Sequence, residues 1–131
     1  MTILVAAGII HNKGKFLIAK RATHKHLGGF WEFPGGKIEE NETPHSCLLR
    51  ELNEELKIKV KIVRYLGENL HDYGNFTILL KAILCEFIEG EFTLIDHDEI
   101  KWVTAHQISD YTMSPADIPF LNFLEEIILP D

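Results

Sequence analysis

Cysteine is nearly absent from this chain: Cys47 and Cys85 are the only two among 131 residues. Two thiols cannot build the disulfide framework of a small secreted domain, so a reduced, cytoplasmic setting is the expectation. Basic charge is short as well. Lys and Arg number 13 against 20 Asp and Glu, and the net charge of −7 excludes a general nucleic-acid or anionic-membrane binder with its basic surface. The apolar start, Thr2 to Ile10, lacks a basic leader and is too short to span a bilayer, so it reads as a buried strand. With no repeat, low-complexity tract or linker, residues 1–131 are expected to fold as one domain around a sizeable core, as a monomer or homodimer.

What is present is ordinary globular composition, 46% hydrophobic and 25% charged. Ile3 to Ile10 and Lys15 to Lys20 flank Asn12-Lys13-Gly14 and read as a hairpin. Lys59 to Leu66 alternates as a half-exposed strand, Gly67 to Gly74 reads as a loop, and Phe76 to Ile88 has the aliphatic content of a central strand. Another strand falls within Phe92 to Val103. Thr104 caps a short helix through about Ser109, and Ser114 to Pro119 leads into a final helix ending near Leu129, with Leu121, Leu124 and Ile128 facing inward. This order of elements predicts an α+β fold, a mixed sheet between helices.

Chemistry concentrates in Gly36 to Ile58. Thr43 as N-cap and Pro44 at the first helical position start a helix that runs to about Leu56. Leu48, Leu49, Leu52 and Leu56 supply its buried stripe, which gathers Glu51, Glu54 and Glu55 on another face. Like charges at this spacing repel by about 0.2–0.5 kcal/mol per pair. A divalent cation would reverse the sign. Oxygen ligands without a cysteine or histidine set suit magnesium, with manganese as a substitute, held against substrate phosphates; a solvated acidic face is the plainer alternative.

Upstream, Lys20, Arg21, His24, Lys25 and His26 form the one basic cluster, either solvated or receptive to phosphate, and Arg21 is its best candidate. Leu27 to Pro34 is an aromatic loop in which Trp31 and Phe33 serve as core plugs or as a stacking surface for a base. Gly35-Gly36 lets backbone approach a metal or phosphate, and Lys37 adds a positive charge. The seven histidines show no ligand spacing and read as surface or packing residues.

Gly36, Glu42, Arg50, Glu51, Leu52, Glu54, Glu55 and Ile58 resemble the signature of the Nudix hydrolase family, a spaced glycine and glutamate followed by R-E-aliphatic-x-E-E-x-G-aliphatic. Lys57 stands where the family has glycine. That glycine would end the helix in a left-handed conformation, and a lysine there costs on the order of 1 kcal/mol if the geometry is kept, so a changed helix end is expected. The resemblance implies the Nudix α/β/α sandwich and metal-assisted attack of water on phosphorus. It implies that Glu51, Glu54 and Glu55 hold magnesium together with the Gly35 carbonyl, that Glu51 or Glu54 takes the proton, and that Arg50 orients a glutamate. Glu42 would do likewise or reach the metal. Asp96 matches a further acidic residue that helps hold metal, with Asp98 and Glu99 as rivals.

Chain length, the FPGGK loop and the S-P-A-D-I-P run resemble the MutT-like branch of that family, which implies conversion of nucleoside triphosphates to monophosphate and pyrophosphate. The substrate expected is 8-oxo-dGTP or a cytosine nucleotide such as CTP. Asp117 carries base choice in this reading: an ionised aspartate only accepts hydrogen bonds and so fits an exocyclic amine, although it could equally cap the last helix. A nucleotide sensor without turnover, or a hydrolase of another nucleoside diphosphate derivative, stands as the alternative.

Overall fold

The computed structural model describes residues 1–127. Seven strands form one sheet: β1 (Thr2–Asn12), β2 (Lys15–Arg21), β3 (Trp31–Glu32), β4 (Gly35–Lys37), β5 (Lys59–Asp72), β6 (Thr77–Glu89) and β7 (His97–Val103). One α-helix, α1 (Pro44–Leu56), covers one face, and two 3₁₀ segments, Gln107–Asp110 and Pro115–Glu126, lie on the other. This is the α+β arrangement expected, a mixed sheet between helical layers. Its mixed character comes from β1 and β6, which run parallel from Thr2↔Thr77 to His11↔Glu86 while the other pairings between these strands are antiparallel.

Alternation builds two cores. Ala7 and Ile9 of β1, Phe16 and Ile18 of β2 and Leu80, Ala82 and Leu84 of β6 meet Phe120 and Leu124 of the last segment. Their neighbours in sequence, Ala6, Ile10, Leu17, Ile83 and Cys85, meet Leu48, Leu52 and Leu56 of α1. Strands buried on both faces read as continuous apolar runs, as Ile3 to Ile10 does.

A split between β1 and β2 positions the site. The two strands pair only at the hairpin, through His11↔Phe16 and Asn12↔Lys15. Beyond that the segment from Trp31 to Lys37 enters the gap: β3 pairs with β2, β4 pairs with β1, and the Gly8 N–H donates to the Pro34 carbonyl at 2.8 Å. These two short strands were not foreseen, because neither is long enough to show a period.

Other differences have local causes. The expected loop from Gly67 is strand as far as Asp72, because Gly67 at φ 146° absorbs a bulge and pairing resumes through Leu70↔Leu79. The two C-terminal helices are 3₁₀ rather than α; Pro119 lacks the N–H that an α-helix needs there. Leu124 is buried and Leu121 packs beside it, whereas Ile128 and the expected end near Leu129 lie outside the described residues. Leu49 was assigned to the inner stripe of α1 but is exposed, and Cys47 and Glu51 occupy that face instead.

The ends of α1 are well made. The Thr43 hydroxyl accepts from the Ser46 N–H at 3.1 Å, the Thr43 N–H donates in turn to the Ser46 hydroxyl at 3.0 Å, and Pro44 follows the cap. At the other end Lys57 takes φ 61°, ψ 39°, and its N–H bonds to the Asn53 carbonyl. The expected change of helix end does not occur: the chain keeps the left-handed cap with a lysine in it. Lys57→Gly should therefore stabilise the fold by about 1 kcal/mol and raise Tm by a few degrees. A thermal melt with Tm unchanged or lowered would refute this.

Candidate active site

The site begins where the inserted strand β4 meets α1. A Cβ on Gly35 would run into the Ala6 carbonyl oxygen of β1, and one on Gly36 would run into the Glu51 carboxylate. At Gly35 the obstacle is main chain and only glycine fits; at Gly36 it is the Glu51 side chain, which a Cβ would push aside. Glu51 is 9% exposed and lies folded over the Gly36 backbone, so the acidic face of α1 abuts the main chain of the glycine pair.

Arg50 gathers the surrounding carboxylates. Its Nε and Nη2 donate to Glu42 Oε2 and Oε1 at 2.7 and 2.8 Å, a bidentate pair that a lysine could not make. Its Nη1 donates to Glu51 Oε1 at 3.0 Å and Glu54 Oε2 at 3.1 Å, and Nη2 also reaches the Lys37 carbonyl at 3.2 Å. Arg50, and after it the Glu39 backbone N–H, hold the Glu42 carboxyl well below the usual carboxylate range. Cys47 Sγ donates to the Lys37 carbonyl, and burial pushes this thiol up to about 11, far from a reactive nucleophile.

Glu55 stands outside the Arg50 cluster. Burial, then the charges of Asp96 and Glu51, push its carboxyl up to about 7. An oxygen-only set under this much uncompensated negative charge fits a hard divalent cation. Among the described residues no three His, Cys, Asp or Glu side chains converge as a ready-made coordination shell; Glu51 and Glu54 are drawn onto Arg50 instead. Of the three acidic rivals, Asp96 is the one whose charge acts on Glu55; it also faces Lys25 Nζ at 3.5 Å, whereas Glu99 pairs with Lys101 at 3.6 Å.

Past Gly36 opens a cleft of about 410 Å³ that brings together Arg21, Phe33, Gly35, Lys37 and Asp117. Ile3, Val5, Ile78 and Leu80 supply apolar walls, and His26, Tyr73 and Phe76 cluster at 5.2–5.6 Å between ring centroids. Trp31 and Phe33 are core residues, and Phe33 lines the cleft as well. Arg21 is committed to the protein: Nη1 donates to Glu32 Oε1 at 2.8 Å and Nε to the His26 carbonyl at 2.7 Å. Asp117, 3% exposed, accepts the Phe33 N–H at 2.8 Å through Oδ2, so one oxygen of its carboxyl bonds the inserted segment rather than capping a helix. Burial, then the charge of Glu32, holds its carboxyl well above the usual carboxylate range.

Two polar residues of the site were missed. Glu32 lines the cleft between Arg21 and His97, and His97 is buried beside it. A lone charge inside the aromatic loop was a signal for Glu32; His97 had none, because a bulge between Lys20 and Arg21 sets its register.

The NUDIX domain family matches residues 5–122. Among curated relatives, CTP pyrophosphohydrolase of Escherichia coli (strain K12) is 34% identical over 120 residues, covering 92% of this chain and 89% of that protein. The 8-oxo-dGTP diphosphatase of Proteus vulgaris is 46% identical over 90 residues, covering 68% and 80%. The solution structure of the E. coli ORF135 protein superposes with a TM-score of 0.81 at 34% identity, covering 92% of this chain and 86% of that one.

The state of Asp117 makes a stability prediction. Below the ordinary aspartate value of about 4 both folded and unfolded chains carry the proton; above it the unfolded chain ionises first, and stability is lost as pH rises toward the higher folded value. Asp117→Asn keeps an acceptor for the Phe33 N–H and removes that loss. Its Tm should exceed that of the native chain at pH 7, with the gain vanishing near pH 4; thermal melts showing a gain independent of pH would refute the assignment.

Proposed function

The chain belongs to the Nudix family and is a Nudix hydrolase, and on that premise we propose that it is a magnesium-dependent nucleoside triphosphate pyrophosphohydrolase of the MutT-like, nucleotide-pool-sanitising kind. It would release monophosphate and pyrophosphate from 8-oxo-dGTP or from a cytosine nucleotide such as CTP, working in the cytoplasm as a monomer or homodimer. One observation carries this reading. The glycine pair joins the acidic face of α1 to a cleft of about 410 Å³, within the range of small-molecule sites, with polar groups at its far end. The names of the two curated relatives include both substrates.

Magnesium, held by Glu51, Glu54 and Glu55 with the Gly35 carbonyl and Asp96 nearby, would supply neutralisation of the phosphates and acidification of water. The chain's own groups do the rest. Glu54, with a side chain 56% exposed and bonded to Arg50 through Oε2 alone, keeps Oε1 free to take the proton from the attacking water. Glu51 is enclosed over Gly36, which suits a ligand better than a base. Arg50 orients Glu42, Glu51 and Glu54 while remaining charged. Lys37, at the cleft beside the glycine pair, meets phosphate as a point charge.

At the other end Asp117 uses Oδ2 on the Phe33 N–H, which leaves Oδ1 for a base. A carboxylate there accepts from N4 of cytosine or from N1–H and N2–H of 8-oxoguanine, and a protonated carboxyl could also donate, to N3 or to O6. Arg21 then acts by holding Glu32 and the His26 loop as one wall.

Incubation of the purified protein with magnesium and 8-oxo-dGTP, dGTP, CTP, 5-methyl-dCTP, 2-hydroxy-dATP and ADP-ribose tests the reading. Monophosphate plus pyrophosphate from 8-oxo-dGTP or a cytosine nucleotide is expected. Turnover of ADP-ribose alone would favour another diphosphate substrate, and metal-independent binding with no turnover would favour a sensor. Glu54→Gln should lower kcat by roughly 10²–10⁴ with an unchanged melting curve. Near-native turnover in that variant would move the proton acceptor to Glu51.

A further inference from the structure

His97 lies between the two halves of the site. Its side chain is 4% exposed, and Nε2 stands 2.9 Å from Glu32 Oε2. Glu32 already accepts from Arg21 through Oε1, so Nε2–H donates and the carboxylate is fixed at both oxygens. The other ring nitrogen, Nδ1, is fully buried without a hydrogen-bond partner and sits 3.9 Å from Glu55 Oε2. That is too long for a hydrogen bond and short enough for contact. The backbone arranges this: at the bulge between Lys20 and Arg21, His97 pairs with Arg21, which turns the imidazole inward beside the very residue that holds Glu32. Its neighbour Asp96 faces Lys25 and acts on Glu55 from the solvent side.

The imidazole is therefore a rigid spacer in a row that runs Arg21, Glu32, His97, Glu55, from the wall of the cleft to the carboxylates of α1. The ring is bonded to Glu32 at one end and blocks the approach of Glu55 at the other. We propose that His97 is a positioning residue that couples the cleft wall at Glu32 to the metal-holding carboxylate of Glu55, so that the setting of Glu32 governs affinity for the divalent ion. The inference rests on the metal reading given above. Coupling of this kind is reciprocal, and partners one step removed from a metal typically change its affinity by about 10–100-fold.

The test measures Mn²⁺ affinity by electron paramagnetic resonance, without nucleotide, in the native chain and in His97→Ala, His97→Gln, Glu32→Gln and the double variant Glu32→Gln/His97→Ala. His97→Ala should weaken Mn²⁺ by about 10-fold or more, and His97→Gln, which keeps a donor toward Glu32, should recover part of the loss. Glu32→Gln, one step further from the metal, should weaken binding by itself yet add nothing in the His97→Ala background. Native-like affinity in His97→Ala, or losses that multiply in the double variant, would overturn the coupling. Should His97→Ala fail to fold by circular dichroism, unchanged Mn²⁺ affinity in Glu32→Gln overturns it alone. A native chain that binds no Mn²⁺ overturns the metal reading and this inference together, whereas native binding with indifferent variants overturns only the role of His97.

Discussion

Between β1 and α1 the Ala6 carbonyl leaves no room for a Cβ on Gly35, and a Cβ on Gly36 would displace the Glu51 carboxylate that lies over the main chain. The rest of the site depends on that closeness. Because β4 can lie directly against β1, the segment from Trp31 to Lys37 fits into the split between β1 and β2 and carries Glu32, Phe33 and Lys37 to the cleft. Because Glu51 can fold over Gly36, the acidic face of α1 meets backbone instead of being held off by a side chain. The constraint is steric, and it binds a sheet, a helix and a cavity at one point.

Electrostatics act within this frame. Four glutamates on or beside α1 would oppose its docking, and Arg50 compensates by touching three of them at 2.7–3.1 Å. The compensation is uneven. Glu42 receives two bonds and its acidity rises; Glu55 receives none from Arg50, and with Asp96 and Glu51 close by its carboxyl is pushed up to about 7. A single guanidinium thus saturates Glu42, bonds one oxygen each of Glu51 and Glu54, and leaves Glu55 under negative charge, and that edge is where a cation gains most.

How much of this could be read from the residues follows from the range of the forces. Helix α1 was legible to its boundaries, since Thr43, Pro44 and the leucine spacing are local signals, and the central strands β1 and β6 were legible because apolar runs buried on both faces need no partner to be recognised. The two-strand insertion was not, since Trp31–Glu32 and Gly35–Lys37 are strands only because β1 and β2 diverge. The C-terminal segments showed helical spacing but not helix type, although Pro119 held that information. Lys57 was read correctly as an irregularity and wrongly as a distortion: docking of α1 through Leu48, Leu52 and Leu56 outweighs a cost of about 1 kcal/mol at one residue. In the site, the spacing of the acidic helix pointed to carboxylates on one face, while Arg21 with Glu32 and Phe33 with Asp117 meet across the sheet and left no pattern along the chain.

The two ends of the cleft therefore differ in what determines them. At the end toward α1, groups within one short stretch are held by glycine sterics and by Arg50, and that end fixes a kind of chemistry. At the other end Asp117 comes from the last segment, Phe33 from the inserted one and Tyr73 and Phe76 from the turn between β5 and β6. Each can vary without disturbing α1. Discrimination between bases needs only a change of one donor or acceptor, worth about 1–3 kcal/mol where a polar group is left unpaired. Burial that favours the proton on Asp117 is such a change, made without altering the residue's identity. Under the proposed function, base preference would answer to the environment around Asp117 as well as to the residue itself.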